Sequence, residues 1–163
     1  NVFGGKITTY RRLAESALDK IGTQFADLPG PWTAGSPMPG GNFAVDGIDA
    51  MISGLRRDYP FLTLPWAQRL IRAYGTDAPL MLGDARTAND LGQDFGATLT
   101  EAEIDWLMTR EFARTSEDIL WRRSKLGLRM SADAVTTLDK YLTDARSPRV
   151  VAAQRQRGEA RGT

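Results

Sequence analysis

The 163-residue sequence contains neither cysteine nor histidine. Without cysteine, the chain has no disulfide framework, no thiolate nucleophile and no thiolate ligand for a metal. Without histidine, it lacks the commonest general base near neutral pH, the usual zinc ligand and any Ser-His-Asp triad. Acid–base chemistry from this chain would have to come from Asp, Glu, Lys or Tyr, and we predict no metal site.

The sequence also lacks a strong net charge and a long apolar run. Its 21 basic and 20 acidic residues leave a formal net charge of +1, so no overall field attracts nucleic acid and we expect no nucleic-acid partner. No apolar run is long enough to span a bilayer, and we expect a cytoplasmic protein. Hydrophobic residues make up 42% of the chain, which is enough for one globular domain with a core.

Apolar residues recur at spacings of three and four along most of the chain, a pattern typical of amphipathic helices. The spacing predicts helices over 7–21, 46–58, 64–74, 77–82, 100–125 and 131–142. We predict Asp46 and Ser131 as N-caps, and a capping box formed by Thr100 and Glu103. Because hardly any strand pattern is visible, the predicted fold class is all-α, an irregular multi-helix bundle with a residual strand end at the N-terminus.

The first eleven residues are the most informative part of the chain. Val2 and Phe3 form a short apolar run, and Gly4, Gly5 and Lys6 follow before helical spacing begins. This order predicts a strand end, a tight turn and a helix start. Glycine lets backbone N–H groups approach a ligand, a helix N-terminus favours negative charge, and the lysine adds a positive charge. The alternative is a plain strand end with a surface lysine.

Two further segments depart from the helical pattern. Residues 27–42 contain four prolines and four glycines, which predicts a long irregular loop. The basic tail 146–163 has little apolar content, so we predict that it is disordered. Its arginines are compatible either with binding to anionic lipid heads or with a solvated terminus.

Several strings, taken in order, carry a resemblance to the FAD-dependent glycerol-3-phosphate dehydrogenases. The opening string GGKITTYRRLAE resembles the junction where the flavin-binding part of that family passes into its C-terminal helical domain. The later strings match the long loop, the middle helices and the signature of that domain: LPGPWT (28–33), PMPGG (37–41), RDYPFL (57–62), RAYGT (72–76), LGQDFG (91–96) and FARTSEDILWRRSKLGL (112–128).

The resemblance implies a domain layout and an activity. Residues 1–8 would end a strand and turn of the FAD domain, 9–145 would form the helical cap domain, and 146–163 would be the tail. The FAD and substrate domains would precede this chain, which would be a C-terminal fragment that is inactive alone. The whole enzyme would oxidise sn-glycerol 3-phosphate to dihydroxyacetone phosphate and pass electrons through FAD to a membrane quinone. It would associate peripherally with the inner membrane, and a homodimer is a further expectation.

The resemblance also assigns site residues. It places the opening turn at the pyrimidine edge of the flavin, with Lys6 close to both flavin and substrate. The expected cofactor-binding residues are Gly4, Gly5, Lys6, Ile7, Thr8 and Thr9. Thr8 and Thr9 could cap the helix, contact the flavin or do both, and capping is the preferred interpretation. For Arg122 and Arg123 we favour ion pairs with Glu117 and Asp118, or with another part of the full enzyme, over a phosphate or nucleic-acid contact.

Two other hypotheses remain open at this point. A glycerol-3-phosphate oxidase, which hands its electrons to oxygen, would carry a similar helical domain. A free-standing helical interaction module with no redox role would explain the composition without any cofactor.

Overall fold

The computed structural model describes residues 5–25 and 28–145. These residues form six α-helices: α1 (Tyr10–Ile21), α2 (Ile48–Asp58), α3 (Leu64–Tyr74), α4 (Ala78–Leu82), α5 (Glu101–Arg110) and α6 (Ala132–Ala145). The described part contains no strand, only a single antiparallel bridge between Asp94 and Thr100. The all-α prediction is therefore confirmed, whereas the predicted strand end and the basic tail lie outside the described residues.

The chain divides into two compact units, residues 1–38 and 39–163. In the first unit, a 3₁₀ turn over Ile7–Thr9 leads directly into α1. Gly22 ends this helix as predicted, and its N–H donates to the carbonyl oxygen of Leu18. No residue of α1 is buried, although its sequence is strongly amphipathic.

The second unit contains the core, which is built mainly from leucine and isoleucine side chains of α2 to α6. Helices α2 and α3 pack against each other, and α4 and α5 make the next close pair. The largest apolar side chains with almost no exposure are Leu62, Leu70, Leu99, Ile104, Leu107, Ile119, Leu120 and Leu138. None of the helices in the described residues is long and apolar enough to cross a lipid bilayer.

Helix α3 begins and ends as the sequence predicts, whereas α6 begins as predicted but continues to Ala145. Thr63 accepts a hydrogen bond from the N–H of Trp66, Pro65 occupies the first turn of α3, and Gly75 follows its last residue. Ser131 accepts a hydrogen bond from the N–H of Ala134 at the start of α6.

Gly75 also fixes the end of the Pro/Gly-rich loop that precedes α2. The N–H of Thr76 donates to the carbonyl oxygen of Gly40 at 2.9 Å. Gly75 has a φ of +54°, and a Cβ built on it would overlap that same oxygen. Glycine is required here both by conformation and by the close backbone approach.

The predicted N-cap of α2 is wrong. The helix begins at Ile48 and its N-cap is Gly47, with no side-chain hydrogen bond to the first turn. The N–H of Gly47 instead donates to the carbonyl oxygen of Ala44 at 2.8 Å, which makes a turn over the residues that include Asp46. The backbone turn thus takes the place of the aspartate cap.

The predicted long helix over 100–125 is also wrong. Helix α5 ends at Arg110, Phe112 adopts a φ of +59°, and a π-helical segment covers Asp118–Arg123. A local motif marks the start of the π-helical segment. The N–H of Thr115 donates to the Asp118 carboxylate at 3.0 Å, and the N–H of Asp118 donates to the Thr115 hydroxyl at 3.1 Å. This reciprocal pair is a capping box inside a segment whose apolar spacing predicts unbroken helix.

The capping box predicted at the start of α5 does not form. Thr100 makes no side-chain cap, and the side chain of Glu103 turns into the core, where it is 1% exposed. The carboxylate contacts Arg69 and Tyr74 of α3 instead. The tertiary ion pair therefore replaces the local hydrogen bond that the motif predicts.

Candidate functional site

The opening turn is the candidate site, and its described residues, 5–9, are all exposed. Gly4 lies outside the described residues. Gly5 has a φ of +130°, a conformation that strongly favours glycine, and a Cβ there would lie 3.3 Å from Leu13. Lys6 is extended and exposed, and the 3₁₀ turn over Ile7–Thr9 follows it immediately.

The N-terminus of this helical stretch has no side-chain cap, which corrects the interpretation of the two threonines. Neither Lys6 nor Thr9, the residues at the two N-cap positions, makes a capping hydrogen bond. The hydroxyl of Thr9 donates to the carbonyl oxygen of Lys6 at 3.0 Å, so it satisfies an acceptor and leaves the N–H groups free of side-chain oxygen. Thr8, like Thr9, is exposed. The turn thus keeps its positive helix end available to an external anion.

The first unit holds its loop against α1 through one carboxylate. Glu15 accepts hydrogen bonds from both the hydroxyl and the backbone N–H of Thr33, the latter at 3.3 Å. Arg11, one turn earlier, approaches the same carboxylate at 3.3 Å. The hydrogen bond from the Thr33 hydroxyl, more than any other interaction, lowers the pKa of Glu15. The sequence analysis missed this contact because 18 residues separate its partners.

The second unit contains a buried ion pair that the sequence analysis also missed. The guanidinium of Arg69 makes two 2.6 Å hydrogen bonds to Glu103 and donates to Thr98 at 2.8 and 2.9 Å. Burial alone would lower the pKa of Arg69, but the hydrogen bonds and charge of Glu103 raise it. The hydroxyl of Tyr74 donates to the same carboxylate at 2.7 Å, and burial raises the pKa of that phenol.

The two consecutive arginines have separate surroundings. Arg122 pairs with Glu117 at 3.0 Å and with Asp118 at 2.9 Å, as predicted. Arg123 turns away, and its Nε donates to the carbonyl oxygen of Glu111 at 3.0 Å. Arg123 therefore does not pair with Glu117 or Asp118, since adjacent helical residues point in different directions. Pairing of Arg123 with another part of the full enzyme stays a prediction.

The opening turn has an uncapped helix N-terminus and a lysine but lacks the parts of a complete catalytic site. It combines a free helix N-terminus, a glycine turn and one lysine. The sequence has no Gly-x-Gly-x-x-Gly fingerprint to hold a dinucleotide pyrophosphate. Its residues fit one edge of an anionic ligand and leave the remaining contacts to other groups.

Comparison with known proteins identifies the family. Residues 32–145 match the model of a family described as the C-terminal domain of alpha-glycerophosphate oxidase. The chain belongs to this family. The resemblance inferred from the sequence is thereby confirmed, and the alpha-glycerophosphate oxidase C-terminal domain covers all six helices except α1.

Relatives with curated names carry the same domain. The chain is 43% identical over 145 residues, 88% of its length, to the aerobic glycerol-3-phosphate dehydrogenase of Escherichia coli. It is 43% identical over 155 residues, 94% of its length, to a glycerol-3-phosphate dehydrogenase of Pseudomonas aeruginosa. A D-erythritol 1-phosphate dehydrogenase of Brucella abortus is 39% identical over 77% of the chain. The chain spans 28%, 30% and 25% of these three relatives.

Proposed function

We propose that this chain is the C-terminal helical domain of a FAD-dependent, quinone-linked sn-glycerol-3-phosphate dehydrogenase. The observation that carries the proposal is the 43% identity, over most of the chain, to two proteins named glycerol-3-phosphate dehydrogenase. The chain matches under a third of each relative, so the FAD and substrate domains would come from the remaining two thirds of the enzyme. The isolated chain would neither retain FAD nor turn over substrate.

The opening turn supports a place for FAD. The uncapped N–H groups from Gly5 to Thr8 and the ammonium of Lys6 suit the pyrimidine edge of a flavin, which becomes anionic on reduction, whereas the N–H of Thr9 donates to the carbonyl oxygen of Lys6. A side chain at Gly5 would be strained, and its Cβ would lie 3.3 Å from Leu13. The fit covers one edge of the cofactor only.

The chemistry proposed for the whole enzyme is the oxidation of the C2 hydroxyl of sn-glycerol 3-phosphate to a ketone. Bound FAD would supply the two-electron acceptor for the hydride that leaves C2 and would later return those electrons to a quinone. The hydroxyl proton would go to a base outside this chain, which has no histidine. Lys6 would hold a positive charge beside the flavin and the substrate phosphate, with no part in proton transfer.

The proposed location is the cytoplasmic face of the inner membrane, where a quinone is accessible. The enzyme would bind there peripherally, with homodimerisation as a further element of the proposal. The arginine-containing tail 146–163 would be one source of attraction to anionic lipid.

The names of the matched family and of one relative suggest a second candidate for the electron acceptor and one for the substrate. The family model carries the name of an oxidase, so oxygen is the second candidate acceptor. The relative named for D-erythritol 1-phosphate makes another polyol phosphate the second candidate substrate. The free-standing interaction module has no such support, because the three relatives described above are all named as dehydrogenases.

The test is a steady-state assay of the full-length enzyme containing this domain. We expect it to reduce a soluble quinone analogue with glycerol 3-phosphate faster than with erythritol phosphate, and with little peroxide. Lys6→Met should reduce kcat/KM by roughly 10- to 1000-fold, because a preorganised positive charge is lost. The matched control Lys20→Met, an exposed lysine at the other end of α1, should leave kcat/KM unchanged. Peroxide as the main product would overturn the dehydrogenase assignment.

A further inference from the structure

A second basic feature lies in the helical unit and is separate from the opening turn. Helix α3, the end of the π-helical segment and the residues after it enclose a cleft of about 480 Å³. Its lining includes four arginines, contributed by three separate stretches of chain: Arg69, Arg72, Arg123 and Arg129. Among the residues that the structure describes, no acidic side chain lines it.

The charges in this cleft are only partly neutralised. Glu103 balances Arg69 from the core side, and the nearest carboxylate oxygen to Arg123 is 4.0 Å away on Glu111. Arg72 and Arg129 are exposed and have no acidic partner within the part of the chain that the structure describes. The cleft therefore has an excess of about two positive charges facing solvent.

Two of the guanidinium groups are held in place before any ligand arrives. Four hydrogen bonds to Thr98 and Glu103 fix Arg69 and leave one N–H, on Nη1, for a ligand. One hydrogen bond from Nε to the carbonyl oxygen of Glu111 fixes Arg123 and leaves its two terminal nitrogens available. Fixed guanidinium groups lose little freedom when they bind an oxyanion, and so they favour recognition over chance attraction.

The backbone at the same edge is unusual. Arg123 ends the π-helical segment, and Lys125 has a φ of +67°. Single π-helical turns and left-handed non-glycine residues are both found preferentially at functional sites. Arg123 and Ser124 line the cleft at the point where this helical segment ends.

We propose that this cleft binds a phosphate group, either of a small phosphate ester or of an acidic phospholipid. Phosphate offers several oxygens and up to two negative charges to planar guanidinium donors, and the volume suits a small ligand or a head group. The described lining of the cleft includes no aromatic side chain on which a base could stack, which argues against nucleic acid. The proposal goes beyond the dehydrogenase function and does not involve Lys6.

The test titrates inorganic phosphate into the full 163-residue chain and follows backbone amides by ¹H–¹⁵N NMR. Arg72, Ser124 and Arg129 should shift together and saturate. The double variant Arg72→Gln/Arg129→Gln should weaken binding at least about tenfold, since charge-assisted hydrogen bonds are lost. The matched control Arg56→Gln/Arg86→Gln removes the same charge from two exposed arginines outside the cleft and should bind as the wild type does.

A second arm identifies the source of the phosphate. Vesicles of phosphatidylglycerol and phosphatidylcholine are compared with vesicles of phosphatidylcholine alone, using both double variants, which retain the basic tail. A selective loss of vesicle binding in the cleft variant indicates a lipid head group. Phosphate shifts without that loss indicate a free ester. Equal losses in the two double variants, or no shift at the cleft up to roughly 20 mM phosphate, would overturn the proposal.

Discussion

Helices α1 and α3 have nearly the same length, 12 and 11 residues, and both are strongly amphipathic. Yet α3 buries Ala67, Leu70, Ile71 and Tyr74, whereas α1 buries nothing. Leu18 and Ile21 of α1 are 50% and 48% exposed. An apolar stripe stabilises a helix only when another surface covers it. The described part of the first unit offers no such surface, so the apolar stripe of α1 stays uncovered within that unit.

The largest effect should come from breaking the buried ion pair that anchors α3 to α5. Glu103→Leu leaves the charge of Arg69 without its partner and should lower the free energy of unfolding by about 3–5 kcal/mol. The double variant Arg69→Met/Glu103→Leu should recover most of that loss. Urea unfolding followed by circular dichroism measures both. A Glu103→Leu variant as stable as the wild type would show that the ion pair with Arg69 does not contribute to stability.

Equivalent leucine truncations in the two units give the most direct contrast. Leu138→Ala removes a side chain with no exposure and should cost about 2–5 kcal/mol. Leu18→Ala in α1 should change the free energy of unfolding by less than about 0.5 kcal/mol. Thermal unfolding of the same chain measures the two side by side. Similar costs would mean that α1 is packed after all.

Substitutions at two glycines separate the effect of the close backbone approach at the end of α3 from the effect of backbone strain alone. Gly75 and Gly83 have φ values of +54° and +56°, but only Gly75 has backbone where a Cβ would go. Gly83→Ala should cost about 1 kcal/mol from conformation alone, and Gly75→Ala should cost clearly more, about 2–4 kcal/mol. Equal losses in chemical denaturation would show that the loop at Gly40 is not held by this contact.

The smallest effect concerns the capping box that restarts the helical path. Hydrogen bonds from the backbone N–H groups of Arg114 and Thr115 hold the pKa of Asp118 at about 2, below its ordinary 3.8. The stabilisation is present above pH 3.8 and is lost as the pH falls towards 2. Asp118→Asn should therefore melt at a lower temperature than the wild type at pH 7, with a difference that shrinks below pH 4. A difference in melting temperature that does not change with pH would show that the Asp118 carboxylate does not provide this stabilisation.

Local signals explain where sequence reasoning succeeds and where it fails. Among the Thr-x-x-acid motifs of the second unit, those at Thr87 and Thr115 form capping boxes. The motif at Thr100 does not, because Glu103 reaches a better partner on α3. Sequence spacing does not show which carboxylate lies opposite an arginine 34 residues away. The fold class and most helix ends are predictable, since hydrophobic spacing, Pro65 and Gly75 act locally.

The candidate site divides in the same way. The glycine turn and Lys6 are visible in the sequence, and the structure adds that Thr9 leaves the helix end uncapped. The arginine cleft is not visible, because its four arginines come together only when α3 packs beside the residues that follow the π-helical segment.

Hydrogen exchange measured by mass spectrometry shows whether the rest of the enzyme covers the opening turn and α1, when this chain is compared with the full-length enzyme. In the chain alone, α3 and α5 should exchange slowly and α1 close to the unprotected rate. In the full-length enzyme with FAD bound, peptides from the opening turn and α1 should gain protection of roughly 100-fold or more, while α3 and α5 change little. Equal protection of α1 in the two proteins would contradict the proposed contact between the opening turn and the FAD domain, because the rest of the enzyme would then leave α1 uncovered.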